Sequence, residues 1–483
     1  MKEARQARSL VRAGVVAALL AGGASARGDT NVWTGAAQAD WQTASSWSLG
    51  RVPNADDWAK FETAADVKPP SDFGGVVWID GAQVSVTVEA ATRFAVKLSG
   101  ADASLTKRGL GVLTVSPVRG VNPGTVAVAQ GELDFAGNGN EAPGAFDRLV
   151  VAAGATARVT ESPIETRHGA VIHGGYASKD ELPDGFETRE YYYWFSSRLT
   201  TMSLYDFMWD TYFACPSDAR CSAVVVPEGD AKALAYEHRL TPAYLLEQKK
   251  QMMMLTRALL LVETPLSGSY FLKNGTGGGA MSAWFVDGVK MGDLSWGSAA
   301  ATEYKRTFST GWHELAFSLW GESDYGWKEN WLRFSRTSPA DGESGLLTED
   351  NLWLGVCFNV IDLSEGGSLV IADGQALGVS TSDNLNLSGS VRSETANAVL
   401  AVMSSYARAG QTSDRIAKLT GLGSFDGVLE LGRMAIVELP ETAATDAFSV
   451  KGKGNVVLPQ GGGGGQRLVC TSRLRESSPS PPA

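Results

Sequence analysis

The chain has 483 residues and a formal net charge of −11, with 44% hydrophobic and 20% charged residues. This composition is that of globular protein and provides enough apolar residues for two or more domains. A net negative charge without a cluster of Lys or Arg argues against nucleic acid as a partner.

Residues 1–26 have the pattern of a secretory signal peptide. Basic residues between Lys2 and Arg12 precede the apolar run AGVVAALLAGG, and residues 24–26 (ASA) provide a small-residue cleavage site. The apolar run is too short to cross a hydrocarbon core of about 30 Å. The sequence therefore predicts a secreted or cell-surface protein whose mature chain has no stable transmembrane segment.

Residues 27–72 form a polar, glycine-containing stretch that holds four tryptophans. They are Trp33, Trp41, Trp47 and Trp58. Such rings either pack into an irregular cap or are held out for a ligand. Because the exposed apolar end of a stacked array must be covered, we predict a Trp-rich N-terminal cap.

Residues 73–160 consist of short alternating runs such as VSVTVEA and GTVAVAQGELDFAG, with Gly, Asn or Asp at the corners. This pattern predicts short strands joined by tight turns. Its return at short intervals favours the stacked rungs of a β-solenoid, and a β-sandwich would show a similar alternation. The pattern resumes over residues 361–458, for example in GVLELGRMAIVEL. We predict a mainly-β protein with solenoid (β-helix-like) rungs interrupted by an inserted module.

The inserted module, residues 161–360, is aromatic-rich and less repetitive. Cap residues Ser203 and Thr241 begin two predicted short helices, and a series of strands follows from the run MMMLTRALLLVE onward. Asp287-Gly288 predicts a hairpin turn. Residues 459–483 are glycine- and proline-containing and are predicted to form a flexible tail.

Two stretches carry a repeat-like motif. Its first half consists of Leu105, Thr106, Lys107, Gly109, Gly111, Leu113, Thr114 and Ser116, and its second half of Gly124, Thr125, Gly131, Glu132 and Leu133. These residues resemble the autotransporter-associated β-strand repeat of bacterial surface proteins. The leader residues Trp33, Trp47, Pro53 and Asp56 resemble the segment that often precedes such repeats. The resemblance implies an exported surface passenger built as a β-helix.

A second motif covers roughly residues 252–336. It consists of Gly268, Tyr270, residues 284–288 (WFVDG) and residues 311–315 (GWHEL). It resembles PA14-type β-sandwich domains, many of which bind carbohydrate, some through calcium held by two adjacent aspartates. The corresponding loop, residues 274–282 (NGTGGGAMS), has no carboxylate, so we expect no metal and no cofactor. The motif also suggests a fold-fixing hydrogen bond for His313.

A candidate carbohydrate site lies in the polar loop GESDYGWKEN. Tyr325 and Trp327 are flanked there by Asp324 and Asn330. An aromatic ring can cover the apolar face of a pyranose while polar neighbours bind its hydroxyls. The alternative is that these rings pack within the loop or core.

The cysteines, histidines and paired carboxylates of the chain are better explained by structural roles than by catalysis. Cys215 and Cys221 are spaced for a local disulfide, whereas the pairing of Cys357 and Cys470 stays open. Four histidines without a Cys-x2-Cys pair argue against zinc. The adjacent carboxylates Asp56 and Asp57 would point to opposite faces of a strand and cannot act together. We therefore predict no catalytic residue.

Three functions are consistent with these patterns. The first is a non-enzymatic surface protein that displays a carbohydrate- or partner-binding module on a β-solenoid stalk. The second is a purely structural passenger or adhesin scaffold without a small ligand. The third is a polysaccharide-degrading β-helix enzyme, for which the sequence shows no convincing cluster of carboxylates or basic residues.

Overall fold

The computed structural model describes the strands and turns of most of the chain. The described residues are 29–118, 120–136, 144–160, 170–174, 223–226, 252–262, 266–274, 280–287, 289–294, 302–321, 332–335, 352–353, 355–381, 386–405, 417–419, 421–422, 424–439, 448–452, 454–459 and 466–470. Over these ranges the protein is mainly β, and the only helix is a single 3-10 turn, Ala44–Ser46. No helix among them is long and apolar enough to span a membrane. The helices predicted to begin at Ser203 and Thr241 lie outside the described residues.

The first part of the fold consists of twelve short strands. They are β1 (Thr30–Val32), β2 (Trp58–Phe61), β3 (Ala65–Val67), β4 (Val76–Asp80), β5 (Gln83–Thr87), β6 (Thr92–Ser99), β7 (Ser104–Arg108), β8 (Val112–Pro117), β9 (Gly120–Val128), β10 (Glu132–Phe135), β11 (Gly144–Val151) and β12 (Thr156–Val159). From β2 onward, successive strands alternate between two parallel sheets, so that each turn of the chain adds one strand to each sheet. Leu113 pairs with Leu133 in this way, twenty residues later.

A second group of strands follows β12 and is mostly antiparallel. They are β13 (Ala170–Gly174), β14 (Ala223–Val226), β15 (Met252–Val262), β16 (Leu266–Asn274), β17 (Ala280–Val286), β18 (Val289–Leu294), β19 (Thr302–Phe308), β20 (Gly311–Gly321), β21 (Leu332–Ser335) and β22 (Leu352–Trp353). They form a seven-stranded sheet, β14-β13-β15-β20-β17-β18 with β22 beside β15, and a three-stranded sheet, β19-β16-β21. The strands predicted for this segment, and the hairpin at Asp287, are confirmed.

The parallel stack then continues. Its strands are β23 (Val356–Leu363), β24 (Ser368–Ile371), β25 (Ala376–Thr381), β26 (Asn386–Leu387), β27 (Ser390–Ser393), β28 (Val399–Ser405), β29 (Ala417–Lys418), β30 (Val428–Met434), β31 (Ile436–Glu438), β32 (Ser449–Gly452), β33 (Asn455–Pro459) and β34 (Gln466–Cys470). Sheet 1 has the order β1-β2-β4-β6-β8-β10-β12-β24-β27, and sheet 2 has the order β3-β5-β7-β9-β11-β23-β25-β28-β30-β32 with β26 beside β23. Strands β29, β31, β33 and β34 form a separate four-stranded sheet. Together the parallel strands make a β-solenoid of about eight turns.

The stack is continuous across the long segment that separates β12 from β23. Strand β11 pairs in parallel with β23, and β12 pairs in parallel with β24. Phe146 and Phe358, from opposite sides of that segment, stack with their ring centroids 5.7 Å apart. Phe135 meets Phe358 at 5.2 Å. Strands that lie on either side of residues 161–355 in the sequence are therefore neighbours in one core.

The core lies between sheets 1 and 2, because alternate residues of every strand point inward. Val77, Ile79, Leu113 and Leu133 are fully buried, whereas the residues between them on the same strands are partly exposed. The predicted alternation therefore corresponds to the inner and outer faces of the solenoid. Aliphatic side chains of successive turns stack on one another along the axis.

Three of the four N-terminal tryptophans are buried over the first turn. Trp33, Trp41 and Trp47 are at most 3% exposed, and the Trp47 ring contacts the rings of Trp33 and Trp41 at centroid distances of 4.9 Å. Phe61 from β2 packs against all three rings. The prediction was wrong for Trp58, which lies in β2 and points away from the core, because its neighbours Ala59 and Phe61 take the inward positions.

Two boundaries differ from those predicted. Strands β2 and β3 already belong to the parallel stack, although they fall within residues 27–72, because WAKF and ADV alternate too briefly to be recognised. The predicted flexible tail contains β34, which pairs antiparallel with β33. The short run QRLVC lies between a run of five glycines and a proline-containing end, so the sequence around it does not indicate a strand.

Candidate functional site

The predicted carbohydrate residues Asp324, Tyr325, Trp327 and Asn330 lie outside the described residues, as do Cys215 and Cys221. The structure does describe the strand that precedes the aromatic loop. Strand β20 carries Trp312, His313 and Glu314, and each of these residues is at least nine-tenths buried. Strand β20 thus fixes one end of the segment that leads to the predicted site.

Three side chains of the inserted sheet pack against the outer face of sheet 2. Leu259 and Leu261 from β15, together with Trp312 from β20, form a single hydrophobic cluster with outward-facing residues of the solenoid. The solenoid residues in that cluster are Ala145, Cys357, Ala376, Val399, Ala401, Met403 and Val428, with Val121 at the margin. Most of these side chains are small, so the strands of the module can approach the sheet closely.

Cys357 is a free thiol at this interface and is fully buried. Burial raises the pKa of the Cys357 thiol well above its usual value, because the thiolate would lose its hydration. The residue therefore acts as a small apolar side chain in the packing rather than as a nucleophile.

A polar column runs through the same interface. The Asn359 side-chain oxygen accepts hydrogen bonds from the Trp312 backbone N–H at 3.3 Å and from the Ser380 hydroxyl at 2.9 Å. Its amide nitrogen donates to Asp147 at 3.2 Å. These bonds fix the register of the inserted sheet on the solenoid, because they join β20 to β23 and β25.

Asp287 and His313 join the β17–β18 turn to β20. His313 Nδ1 lies 2.6 Å from Asp287 Oδ2, and His313 Nε2 lies 2.8 Å from the Ser309 carbonyl oxygen. The other carboxylate oxygen of Asp287 accepts a hydrogen bond of 2.9 Å from the Glu314 N–H. Asp287 has a φ of 51°, which allows its carboxylate to turn back toward β20. The predicted fold-fixing hydrogen bond of His313 is confirmed.

Lys107 lies inside the solenoid rather than on its surface. It occupies an inward position of β7, between Val86 and Val128 of the neighbouring turns, and is fully buried. Its Nζ donates to the carbonyl oxygens of Gly109 at 2.5 Å and Gln130 at 2.7 Å. Burial lowers the pKa of Lys107, because the charged amine loses its hydration.

Two glycines of the repeat-like motif lie at the same corner as Lys107. Gly109 has a φ of 80°, and a Cβ there would lie 2.4 Å from the Val88 carbonyl oxygen. Gly131 has a φ of 66°, and a Cβ there would lie 2.4 Å from Lys107 Nζ. The lysine and these glycines together form one tight corner at which two turns meet.

Two tryptophans and two lysines lie together on the outer face of sheet 1. Trp58 and Trp78 are partly exposed and meet edge to face, with ring centroids 5.9 Å apart. Lys97 Nζ lies 4.5 Å from the Trp78 centroid and 5.4 Å from the Trp58 centroid, and Lys60 Nζ lies 4.1 Å from the Trp78 centroid. We call these four residues the indole–lysine patch.

Carboxylates lie at the edge of the indole–lysine patch. Lys60 Nζ is 2.6 Å from Glu62 Oε1 and 2.9 Å from Asp80 Oδ2. Burial alone would lower the pKa of Lys60, but the hydrogen bonds to these two carboxylates outweigh it and raise the pKa. Trp78 Nε1 donates to the Ser99 hydroxyl at 2.9 Å. The patch thus combines ring surface, ammonium groups and carboxylates.

The sequence contained a signal for this patch that the prediction missed. In the runs WAKF and VVWID the inward positions are Ala59, Phe61, Val77 and Ile79, which leaves Trp58, Lys60 and Trp78 facing outward. Parallel pairing then places Lys60, Trp78 and Lys97 side by side on adjacent turns. Knowledge of the register was required, because the three residues lie far apart in the sequence.

The described residues contain no group of three or more His, Cys, Asp or Glu that could hold a metal ion. Asp56 is exposed and Asp57 is buried beneath Arg51, so the two adjacent carboxylates do not act together. Asp57 also accepts a hydrogen bond of 2.8 Å from the Asn54 N–H. Its role is to close the loop before β2.

In comparisons with known proteins, no protein-family model matches the chain and no curated protein is significantly similar to it.

Proposed function

We propose that this chain is an exported, non-enzymatic bacterial surface protein that displays a binding module on a β-solenoid stalk. The observation that carries the proposal is the pairing of β11 with β23 and of β12 with β24. Neighbouring turns of the stack are separated in the sequence by the whole segment of β13–β22. This is how a stalk can present a module from its side without interrupting its own core.

The proposed class of stalk is the autotransporter-associated β-strand repeat. Support comes from the motif residues themselves, since Lys107 donates hydrogen bonds at a corner where a Cβ on Gly109 or Gly131 would clash. Export is supported by the signal-like residues 1–26. An outer-membrane or cell-surface location is part of the same proposal.

The proposed class of module is a PA14-like β-sandwich that binds carbohydrate. Support comes from the Asp287–His313 contact at 2.6 Å, which joins the two motif halves DG and GWH. Trp312 packs against the solenoid and orients the module, and the segment with Tyr325 and Trp327 follows β20 in the sequence. We propose that this loop, with Asp324 and Asn330, holds the glycan.

Affinity electrophoresis of the mature protein through gels that contain a panel of polysaccharides tests the proposal. We expect at least one polysaccharide to retard the wild type and Trp327→Ala to lose that retardation. Leu110→Ala is the matched control, because Leu110 is an isolated apolar side chain that is 83% exposed on a solenoid turn. Absence of retardation for the wild type across the panel would reject the glycan-binding module and favour a purely structural scaffold.

A further inference from the structure

His313 faces an oxygen atom at each of its two ring nitrogens. Nε2 lies 2.8 Å from the carbonyl oxygen of Ser309, and Nδ1 lies 2.6 Å from a carboxylate oxygen of Asp287. A carbonyl oxygen has no proton to donate, so Nε2 is the donor in the first contact. A neutral imidazole has only one N–H, and the contact with Ser309 already uses it.

The contact at Nδ1 therefore requires a second proton. Without it, the lone pair of Nδ1 would face the Asp287 carboxylate at 2.6 Å and the two groups would repel each other. With it, the ring is an imidazolium that donates to both oxygens. The Asp287 side chain is 33% exposed, and its other oxygen accepts the Glu314 N–H, so its surroundings suit an ionised carboxylate. This geometry places the second proton on His313.

The charge that faces the ring comes from the turn after β17. Glu314 follows His313 directly on β20, so its side chain points to the opposite face of the strand, on which Trp312 contacts the solenoid. On the neighbouring strands, the described positions that share the face of His313 are apolar, namely Leu260 and Val262 of β15 and Val286 of β17. Of these groups, Asp287 is the one whose charge is directed at the ring.

Asp287 connects the β17–β18 hairpin to β20 through its backbone and its side chain. Its N–H donates to the Glu314 carbonyl oxygen at 2.9 Å, and its carboxylate accepts the Glu314 N–H at 2.9 Å. The carboxylate is held in place for this second bond by the His313 ring. The protonation of one ring thus bears on how firmly the hairpin is attached.

We propose that the Asp287–His313 pair is a proton-dependent contact that holds the β17–β18 hairpin on β20. The contact is formed while His313 carries two ring protons and is lost when the ring becomes neutral. A free histidine loses its second proton near about pH 6.5, whereas the folded module retains it to higher pH. Above about pH 6.5 the folded state therefore binds more protons than the unfolded state, and the attachment weakens as the pH rises. The contact does not require that the module bind a glycan.

Hydrogen exchange and NMR of the mature protein test the proposal. We expect the protection of the Asp287 and Glu314 amides, corrected for the intrinsic effect of pH, to fall about tenfold or more between about pH 6 and pH 10. Amides of β10 in the solenoid should show no such fall. Nitrogen NMR of labelled histidine should find a proton on both ring nitrogens of His313 at about pH 7.5, where a free imidazole has only one.

Asp287→Asn is the matched variant, because it removes the need for the second proton. The asparagine oxygen accepts the Glu314 N–H, and its amide donates to the lone pair of Nδ1 while Nε2 still donates to Ser309. Asparagine also tolerates the φ of 51° at this position. The variant should keep the protection of the Glu314 amide over the whole pH range, with a single proton on the ring. His173→Gln, which removes another histidine of the same sheet, should behave like the wild type.

Three outcomes would overturn the proposal. They are a single ring proton on His313 of the wild type at about pH 7.5, protection of the two amides that does not change with pH, and a fall in protection that is equal in the wild type and in Asp287→Asn. Circular dichroism identifies a variant that fails to fold. If Asp287→Asn is such a variant, His313→Gln takes its place, and its protection should be low and independent of pH.

Discussion

The side-chain amide of Asn359 donates a hydrogen bond of 3.2 Å to the carboxylate of Asp147, a residue that precedes it by 212 positions. The Asn359 oxygen accepts the Trp312 backbone N–H of the inserted sheet. One side chain thus joins the solenoid strands on either side of the insertion and holds the inserted sheet against them. Because the site is buried, loss of these bonds leaves polar groups that water cannot easily reach.

Asn359→Ala should weaken the attachment of the inserted sheet. We expect a cost of about 1–3 kcal/mol, since buried donors lose this acceptor. Hydrogen exchange measures the effect locally, and we expect the Trp312 amide to exchange about tenfold faster or more, while amides of β10 are unchanged. Asn397→Ala is the control, because Asn397 is exposed in a turn. Equal exchange at Trp312 in all three proteins would contradict this role of Asn359.

Lys107→Met should destabilise the solenoid. Methionine fills a similar volume but leaves the carbonyl groups of Gly109 and Gln130 without their donor. We expect a loss of about 1–3 kcal/mol in the free energy of unfolding by urea. Lys451→Met is the control, since Lys451 is exposed on β32, and it should change stability by less than about 0.5 kcal/mol.

The contribution of Lys107 to the free energy of unfolding should change with pH in the alkaline range. Burial lowers the pKa of Lys107 below its usual value of 10.5, so the unfolded chain binds more protons between these two pKa values. Over that window the wild type should gain stability relative to Lys107→Met as the pH rises, with no difference in slope at lower pH. Urea unfolding of both proteins at a series of pH values measures this difference in stability. A relative loss of wild-type stability over the window would contradict the assigned environment.

The sequence was sufficient to predict the solenoid strands, because alternation directly records which residues point inward. It was also sufficient for strands β15–β21 of the inserted segment, where long apolar runs and Asp287-Gly288 indicate strands and a turn, but not for the short strands β13, β14 and β22. It was not sufficient for contacts that depend on register. The hydrogen bond of Lys107 to the Gln130 carbonyl oxygen, 23 residues away, and the close approach of Gly131 follow from the stacking of two turns on one corner.

The indole–lysine patch illustrates the same limit. The sequence alone groups Trp58 with the three other N-terminal tryptophans, because all four occur in one polar stretch. Only the pairing of β2 with β4 and of β4 with β6 shows that Trp58 shares its environment with Trp78 and Lys97. Contacts between neighbouring turns depend on the length of each turn, which varies along the chain.

Asp57→Asn should destabilise the protein at neutral pH, and Asp56→Asn should not. Asp57 is 2% exposed and accepts hydrogen bonds from Arg51 and from the Asn54 N–H, whereas the Asp56 side chain is exposed. We expect a loss of about 1–3 kcal/mol for Asp57→Asn and less than about 0.5 kcal/mol for Asp56→Asn. The free energy of unfolding by urea at neutral pH measures both.

Lowering the pH should remove the stabilisation that the ionised carboxylate of Asp57 contributes. Burial alone would raise the pKa of its carboxyl, but the hydrogen bonds from Arg51 and Asn54 outweigh it and lower the pKa below the usual 3.8. The stabilisation is therefore complete above pH 3.8 and is lost as the pH falls through the lower, folded-state value. The difference in stability between wild type and Asp57→Asn should shrink over this range. A difference that stays constant down to the lowest pH at which the protein folds would show that Asp57 remains ionised or contributes only by packing.

Trp41→Ala should open the N-terminal end of the stack, whereas Trp58→Ala should leave it closed. Trp41 is fully buried and contacts Trp47 at 4.9 Å and Phe73 at 5.1 Å, so its removal leaves a cavity above the first turn. We expect a loss of about 3–5 kcal/mol for Trp41→Ala. Trp58 keeps part of its ring in water, and its loss should cost about 1 kcal/mol, comparable to an exposed cation–π contact.

Hydrogen exchange of β1 and β2 distinguishes the two variants, because an uncovered first turn exchanges before the rest of the stack. Equal effects of the two substitutions would mean that the inward and outward tryptophans contribute alike, and Trp33, Trp41 and Trp47 would then have no special role as the cover of the stack.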